Sequence, residues 1–206
     1  MRRTSAETRE HVLSIARTLF YRDGIRATGV DAIASSAAIA PTTLYRVFAD
    51  KDDLVAAYVE REGVLYRDWF LDVIGTRRPA TARIIRLFTA LERQVAEPEC
   101  RGCPFQLTLA EVHDSGAAAH RAAVEVKLWV RGQLHQLVTE LTPAMTRKNA
   151  HLFADQLMLI MEGVYASLVS MPAPGSARQA TLLVRSLLAT HTAINSPTDL
   201  STDDMK

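Results

Sequence analysis

Cysteine and histidine are scarce: two and six among 206 residues. A structural zinc site needs about four ligands, and Cys100 and Cys103 stand alone in CRGCP with no second pair and no close His-x-x-His. The histidines are scattered without ligand spacing, and no nucleophile stands in a recognisable pattern with a base. No metal, no cofactor and no catalytic residue is therefore expected. Long apolar runs are missing too: none approaches the roughly 18–20 uncharged residues that a membrane helix needs. The N-terminus, MRRTSAETREHV, is basic but turns polar at once and lacks the apolar centre of a signal peptide, so a cytoplasmic location is expected. Alternation of apolar and polar residues is absent, which argues against strands. Glycine and proline, nine and eight in number, sit mainly between periodic segments.

An excess of charge of one sign is also lacking. The net charge is +1, against a broadly basic nucleic-acid coat. The distribution is uneven, however. Residues 1–51 hold eight Lys/Arg and five acids, a net +3, and the rest holds 16 and 18, a net −2. A compact binding head on a neutral body gives this bias, and so does a solvated helical surface with a few spare arginines. Hydrophobic residues make up 48% of the chain, enough to bury a sizeable core in one or two domains.

The periodicity predicts an all-α protein of about nine helices. The first spans 5–22, with Val12, Ile15, Ala16, Leu19 and Phe20 on one face, and stops at Asp23-Gly24. Thr28 is expected to cap a helix over 29–36 that buries Val30, Ile33 and Ala34. A short helix over 41–47 starts on Pro41, and Asp50 caps a long one over 51–74 with Leu54, Val55, Tyr58, Leu65, Trp69 and Val73 as its apolar face. Five more are expected over 80–96, 104–113, 117–141, 147–170 and 177–194, and the polar stretch 196–206 reads as a frayed tail.

Val30 to Leu54 is the most informative segment. Two short apolar-periodic pieces are separated by a tight step of small residues, with Tyr45 and Lys51 just beyond the second. That layout suits a helix-turn-helix whose second helix enters the major groove while flanking groups hold phosphates. Thr42, Thr43 and Arg46 would face outward and Leu44 and Phe48 inward. Threonine bonds phosphate or offers a methyl to thymine, and arginine reaches a guanine edge or a phosphate. Tyr45 is either a phosphate ligand or a core aromatic that closes the small unit. Lys51 is either a phosphate ligand or a solvated charge. Arg2 and Arg3 form either an arm on the duplex or a polar tail.

Taken together, Gly24, Thr28-Gly29-Val30, Ile33-Ala34, Pro41-Thr42-Thr43-Leu44-Tyr45, Phe48 and Lys51-Asp52-Asp53-Leu54 resemble, in order and spacing, the TetR family of bacterial transcriptional regulators. Gly102-Cys103-Pro104 is similar to the start of the sixth helix in one subset. The resemblance implies a helix-turn-helix domain over 1–50, a helical ligand-binding and dimerisation domain over 51–195, and DNA contacts at Thr28, Thr42, Thr43, Tyr45, Arg46 and Lys51. It further implies a regulator, commonly a repressor, released from a palindromic operator by a small effector. Two departures stand in the turn. Ala38 replaces the usual glycine, at a cost of order 1 kcal/mol if positive φ is needed, and Ala40 replaces the usual serine cap.

One small head contacts too few bases for genomic specificity, so a two-fold homodimer is expected. The last two helices are its candidate interface, through Phe153, Leu157, Ile160, Gly163, Val164, Leu168, Leu183 and Leu187, unless they pack wholly within one subunit. Trp69, Phe70, Phe88, Phe105, Trp129 and Met161 are candidate walls of an effector pocket, with Glu111, His113 and Glu162 as polar anchors, and the effector is expected to be apolar or aromatic. Each aromatic, taken alone, reads equally as plain core. Cys100 and Cys103 could form a redox switch favoured by Arg101, or Cys103 simply packs at a helix start. A helical enzyme and a ligand carrier that no longer binds DNA are the rival classes.

Overall fold

Residues 4–141, 143, 145–171 and 175–194 are described by the structure, a computed structural model. Arg2, Arg3 and the expected tail at 196–206 lie outside the described residues. Nine helices and no strand are found among those described. They are α1 (Ser5–Asp23), α2 (Val30–Ser36), α3 (Pro41–Tyr45), α4 (Lys51–Ile74), α5 (Ala80–Ala96), α6 (Pro104–Glu111), α7 (Ala118–Leu141), α8 (Arg147–Ser167) and α9 (Gly175–Ile194).

The helix ends follow from local chemistry. Thr4 and Glu7 form a capping box at the start of α1, and Gly24, at φ 98°, ends the helix with its N–H on the Phe20 carbonyl. Asp50 caps α4 by accepting from the Asp53 N–H at 2.8 Å. The expected cap at Thr28 is a correction: Gly29 is the N-cap of α2 and makes no side-chain bond. Thr28 is buried instead, and its hydroxyl donates to the Gly24 carbonyl at 2.7 Å. Other ends move by one to three residues, and α9 starts at Gly175 rather than at 177. Helix α3 stops two residues short of the expected Val47, α6 ends at Glu111, and α8 at Ser167.

Helix α4 is the spine. It packs on α1 near its start and on α5, α6 and α7 beyond, while α7 leans on α8 and α9 covers α5 and α8. A single apolar cluster runs from Val12 in α1 to Leu188 in α9, passing without interruption through Leu54, Val55 and Tyr58. Two ion pairs reinforce the α1–α4 contact: Arg17 to Glu62 at 2.6 Å and Arg61 to Glu10 at 2.5 Å. Glu62 is buried, so its carboxylate depends on the Arg17 guanidinium for compensation. Beyond Val59 the inward positions of α4 are Glu62, Gly63, Phe70, Val73 and Ile74, with Tyr66 and Trp69 half-buried, whereas Leu65 faces outward at 45% exposure.

The two cysteines are free. Cys103 is buried at the start of α6, and burial pushes its thiol up against the opposing pull of Lys127, whose Nζ lies 3.1 Å from Sγ. Arg101, the expected thiolate promoter, points elsewhere, to the Tyr21 and Arg22 carbonyls that end α1. In a Cys100→Ser variant the remaining thiol is therefore expected to resist iodoacetamide at pH 7.5 in the native protein and to react fully in urea. Rapid native alkylation would show that Cys103 is accessible as thiolate.

Candidate nucleic-acid interface

Helices α1, α2 and α3 and the first turns of α4 enclose Val12, Ala16, Phe20, Ile33, Ala34, Leu44, Phe48 and Leu54, all buried. The inward placement of Leu44 and Phe48 fixes what α3 shows to solvent. Thr42 and Arg46 are exposed, Tyr45 is 49% exposed, and Thr43 is half-buried. Tyr45 is thus a surface side chain and not the aromatic that closes the unit. Phe48 does that, with the Arg9 guanidinium 4.5 Å from its ring centre.

The turn between α2 and α3 is tight and held from both sides. Ile39 N–H bonds the Ala34 carbonyl and Ala38 N–H the Ser35 carbonyl, each at 3.0 Å, the paired bonds of a Schellman ending. Such an ending needs a left-handed residue, and Ala38 adopts it with φ 53°. A ring nitrogen of His11 lies 2.9 Å from the Ala37 carbonyl and ties the turn to α1. Since Ala38 is exposed, a glycine there loses no packing. Ala38→Gly is expected to stabilise the protein by about 0.5–1 kcal/mol, the left-handed penalty less the extra freedom of unfolded glycine. That is a melting temperature about 1–4 °C higher. A lowered midpoint would contradict the strain assigned to Ala38. Ala40 caps α3 with no side-chain bond, so this helix relies on Pro41 and on burial of Leu44.

Lys51 occupies the first position of α4, half-buried, with Nζ 3.5 Å from the Arg26 carbonyl. A cation at a helix N-terminus opposes the helix dipole, so it gains nothing locally from the helix. With a phosphate present the sign reverses: helix N-terminus and ammonium attract the same anion. Arg46, Tyr45 and Lys51 thus flank the exposed end of α3 with two cations and a phenol.

Contacts from the body reach the α1–α2 turn. Glu111, at the end of α6, accepts from the Arg26 N–H at 2.7 Å. The Tyr21 hydroxyl donates to the Gly102 carbonyl and accepts from the Arg101 N–H, both at 2.9 Å, and burial pushes its phenol up to about 12. These links were not anticipated. Glu111 was a pocket candidate and instead clasps the turn that leads into α2.

The other pocket candidates scatter as well. Phe70, Phe88, Phe105 and Met161 are fully buried core, and Phe70 meets Trp129 edge-on at 5.4 Å. His113 is exposed beyond α6. Glu162 is held by Lys127 at 2.6 Å and by Gln106 at 2.5 Å. Trp69 borders a cleft between α4 and α5.

Of the interface candidates, Phe153, Leu157 and Val164 are at most 2% exposed in their own subunit, so they belong to its core. Ile160, Leu168 and Leu187 are half-buried, and Gly163 and Leu183 are exposed. The outward apolar face carries Leu152, Leu159, Leu182 and Leu183, each at least half exposed, beside a groove lined by Ile160, Gly163, Met171 and Ala180.

A short exposed helix behind a tight turn, mounted on the end of a long helix, defines a helix-turn-helix protein. The profile described as "Bacterial regulatory proteins, tetR family" matches residues 12–58, which contain all of α2 and α3. Among solved structures, the fold is similar to a TetR-family transcriptional regulator from Streptomyces coelicolor at 24% identity and TM-score 0.83, covering 90% of this chain and 96% of that one. A chain described as a TetR-type transcriptional regulator from Streptomyces avermitilis matches at 26% identity and TM-score 0.74, covering 91% and 97%. A TetR regulator from Chloroflexus aurantiacus matches at 20% identity and TM-score 0.78, covering 90% and 96%. No curated protein matches. Residues 12–58 match the DNA-binding head of TetR-family regulators, and the whole chain shares the fold of the solved regulators of that family. Its fold is one shared with transcriptional regulators. No helix among the described residues is long and apolar enough to cross a membrane.

Proposed function

We propose that the protein is a ligand-responsive repressor, acting in the cytoplasm as a homodimer on a palindromic operator and released by a small effector. Thr42, Thr43, Tyr45 and Arg46 of each α3 region meet the major groove, and Lys51 holds a flanking phosphate. Thr28 is withdrawn from this set because its hydroxyl is spent on Gly24. The division of labour follows the expected boundary: 1–50 reads DNA, and 51–195 binds effector and partner. The observation that carries the reading is the polarity of α3, with Leu44 and Phe48 buried and Thr42, Tyr45 and Arg46 exposed on a unit with no other apparent reason to present them.

Pairing through the outer faces of α8 and α9 would set the two heads at fixed separation, as two half-sites about one helical turn or a multiple apart require. Helix α4 starts beside the DNA and ends in the body, and Glu111 grips the turn before α2, so a tilt of α4 or α6 shifts the head. An effector acts by binding the splayed dimer more tightly than the DNA-competent one. The test is selection of duplexes from random DNA by the purified protein. An inverted repeat protected two-fold symmetrically supports the proposal, and absence of any preferred sequence over competitor DNA refutes it.

A further inference from the structure

A cleft of about 710 Å³ opens between the C-terminal part of α4 and the face of α5. That size suits a small organic ligand. Arg86 and Arg93 stand two turns apart on its α5 wall, with Ala82, Thr89 and Ala90 on the same side. These small residues leave depth beneath the guanidinium groups. Trp69, half-buried, forms the opposite wall with Asp72 and Val73, and Tyr66 backs it at 5.3 Å between ring centres. Arg78 closes one end, where the cleft meets a recess of about 280 Å³ that shares Asp72, Arg78 and Arg86 and adds Arg77.

The arginines of this cleft are unspent. Arg17, Arg22, Arg61, Arg67, Arg83 and Arg131 each grip a carboxylate. Among the described residues, Arg78, Arg86 and Arg93 hold none, although Asp72 and Glu97 border the same space. Three guanidinium groups against two carboxylates leave one positive charge, which suits a monoanion better than a dianion. A planar fork recognises a carboxylate through paired hydrogen bonds, and an indole face takes an aromatic ring in offset stacking.

We propose that this cleft is the effector site and that its ligand is a planar aromatic carboxylate, ring against Trp69 and carboxylate between Arg86 and Arg93. The inference rests on the reading of the protein as a ligand-responsive regulator and names the class of its ligand. It narrows the apolar or aromatic effector expected from the sequence to an aromatic ring that carries a carboxylate, and of the aromatics first considered it uses Trp69. Trp69 and Asp72 share a helix with Lys51, so a ligand lodged between α4 and α5 bears directly on the element that enters the DNA interface.

Calorimetric titration of the full chain with 2-naphthoate and with 2-naphthamide, its uncharged counterpart, tests this. Naphthoate is expected to bind once per subunit, and naphthamide at least about tenfold more weakly. Arg86→Gln and Arg93→Gln are each expected to weaken naphthoate by about tenfold, with Arg86→Lys between wild type and Arg86→Gln. Both positions are exposed, so folding is retained, which thermal melts will check. Equal binding of acid and amide overturns the proposal, as do undiminished binding by both glutamine variants or no saturable binding up to about 10 mM. Duplex selection by the same ligand-free protein separates the two readings. Sequence-selective DNA binding without naphthoate binding refutes the cleft alone, and loss of DNA selectivity refutes the regulator whatever the cleft does.

Discussion

Replacing Lys51 by alanine is expected to weaken operator binding on the order of 50-fold at 0.1 M salt and to flatten its salt dependence. The size follows from counterion release. Each phosphate neutralised contributes a slope of about −0.9 to log K against log salt. A dimer carries two copies of Lys51, so the variant should lose about 1.8 from the slope, which at 0.1 M is close to two decades of affinity. The competing account is that Lys51 serves the fold by reaching the Arg26 carbonyl at 3.5 Å. A long contact of that kind at a partly exposed site contributes at most about 1 kcal/mol to stability and nothing to the salt slope. The two accounts are therefore separated by slope, measured by fluorescence anisotropy between 50 and 200 mM salt on the selected duplex. Tyr45→Phe is the companion variant. It keeps the ring and removes the hydroxyl, and should lower affinity with an unchanged slope, because a phenol displaces no counterion. An unaltered slope for Lys51→Ala would remove Lys51 from the DNA interface.

The head was readable from sequence because its determinants are local. Apolar spacing at Val12, Ala16 and Phe20, the stop at Gly24, Pro41 at a first turn and Asp50 as a cap are set by neighbours three or four residues away. At Ala38 the choice between a left-handed turn and one that avoids it depends on φ alone, and φ is 53°. Thr28 failed for an instructive reason. A threonine before an apolar run satisfies the cap pattern, but its hydroxyl had a nearer acceptor in the Gly24 carbonyl at the end of the preceding helix.

The body was less readable, because its helices are apolar on more than one side. In α8 the inward set is Phe153, Ala154, Leu157, Met161 and Val164, and the outward set is Leu152, Leu159 and Gly163. Both sets recur at helical spacing, so periodicity identifies a helix without saying which stripe meets its own subunit. Among the pocket candidates, Phe70, Phe88, Phe105 and Met161 are buried in the core, and Trp69 borders a cleft. Large aromatics mostly fill the core, and beside Trp69 and Val73 the cleft is lined by arginines, acids and small residues that no hydrophobic pattern selects. The links of Tyr21 to Gly102 and Arg101, and of Glu111 to Arg26, span some 80 residues of sequence, which local spacing does not encode.

The outward stripe carries the second large expected effect. Leu159 is 70% exposed and Leu183 50% exposed, so placing glutamate at both removes little from the packing of a single subunit. The double variant Leu159→Glu/Leu183→Glu is expected to keep its helical circular dichroism and its urea midpoint measured at low protein concentration, and to sediment as a monomer. In a symmetric interface four added carboxylates would lie near the two-fold axis, a like-charge burial that a pair of facing apolar helices cannot offset. Loss of pairing uncouples the heads, and binding should drop toward the non-specific level, at least about 10³-fold below the operator affinity of the wild type. Phe153→Ala makes the contrasting case. Its side chain is 1% exposed within one subunit, so the variant should lose about 3–5 kcal/mol of stability without a specific effect on assembly. A dimeric double variant would move the interface away from the outer faces of α8 and α9. A monomeric Phe153→Ala of undiminished stability would return the inner stripe to it.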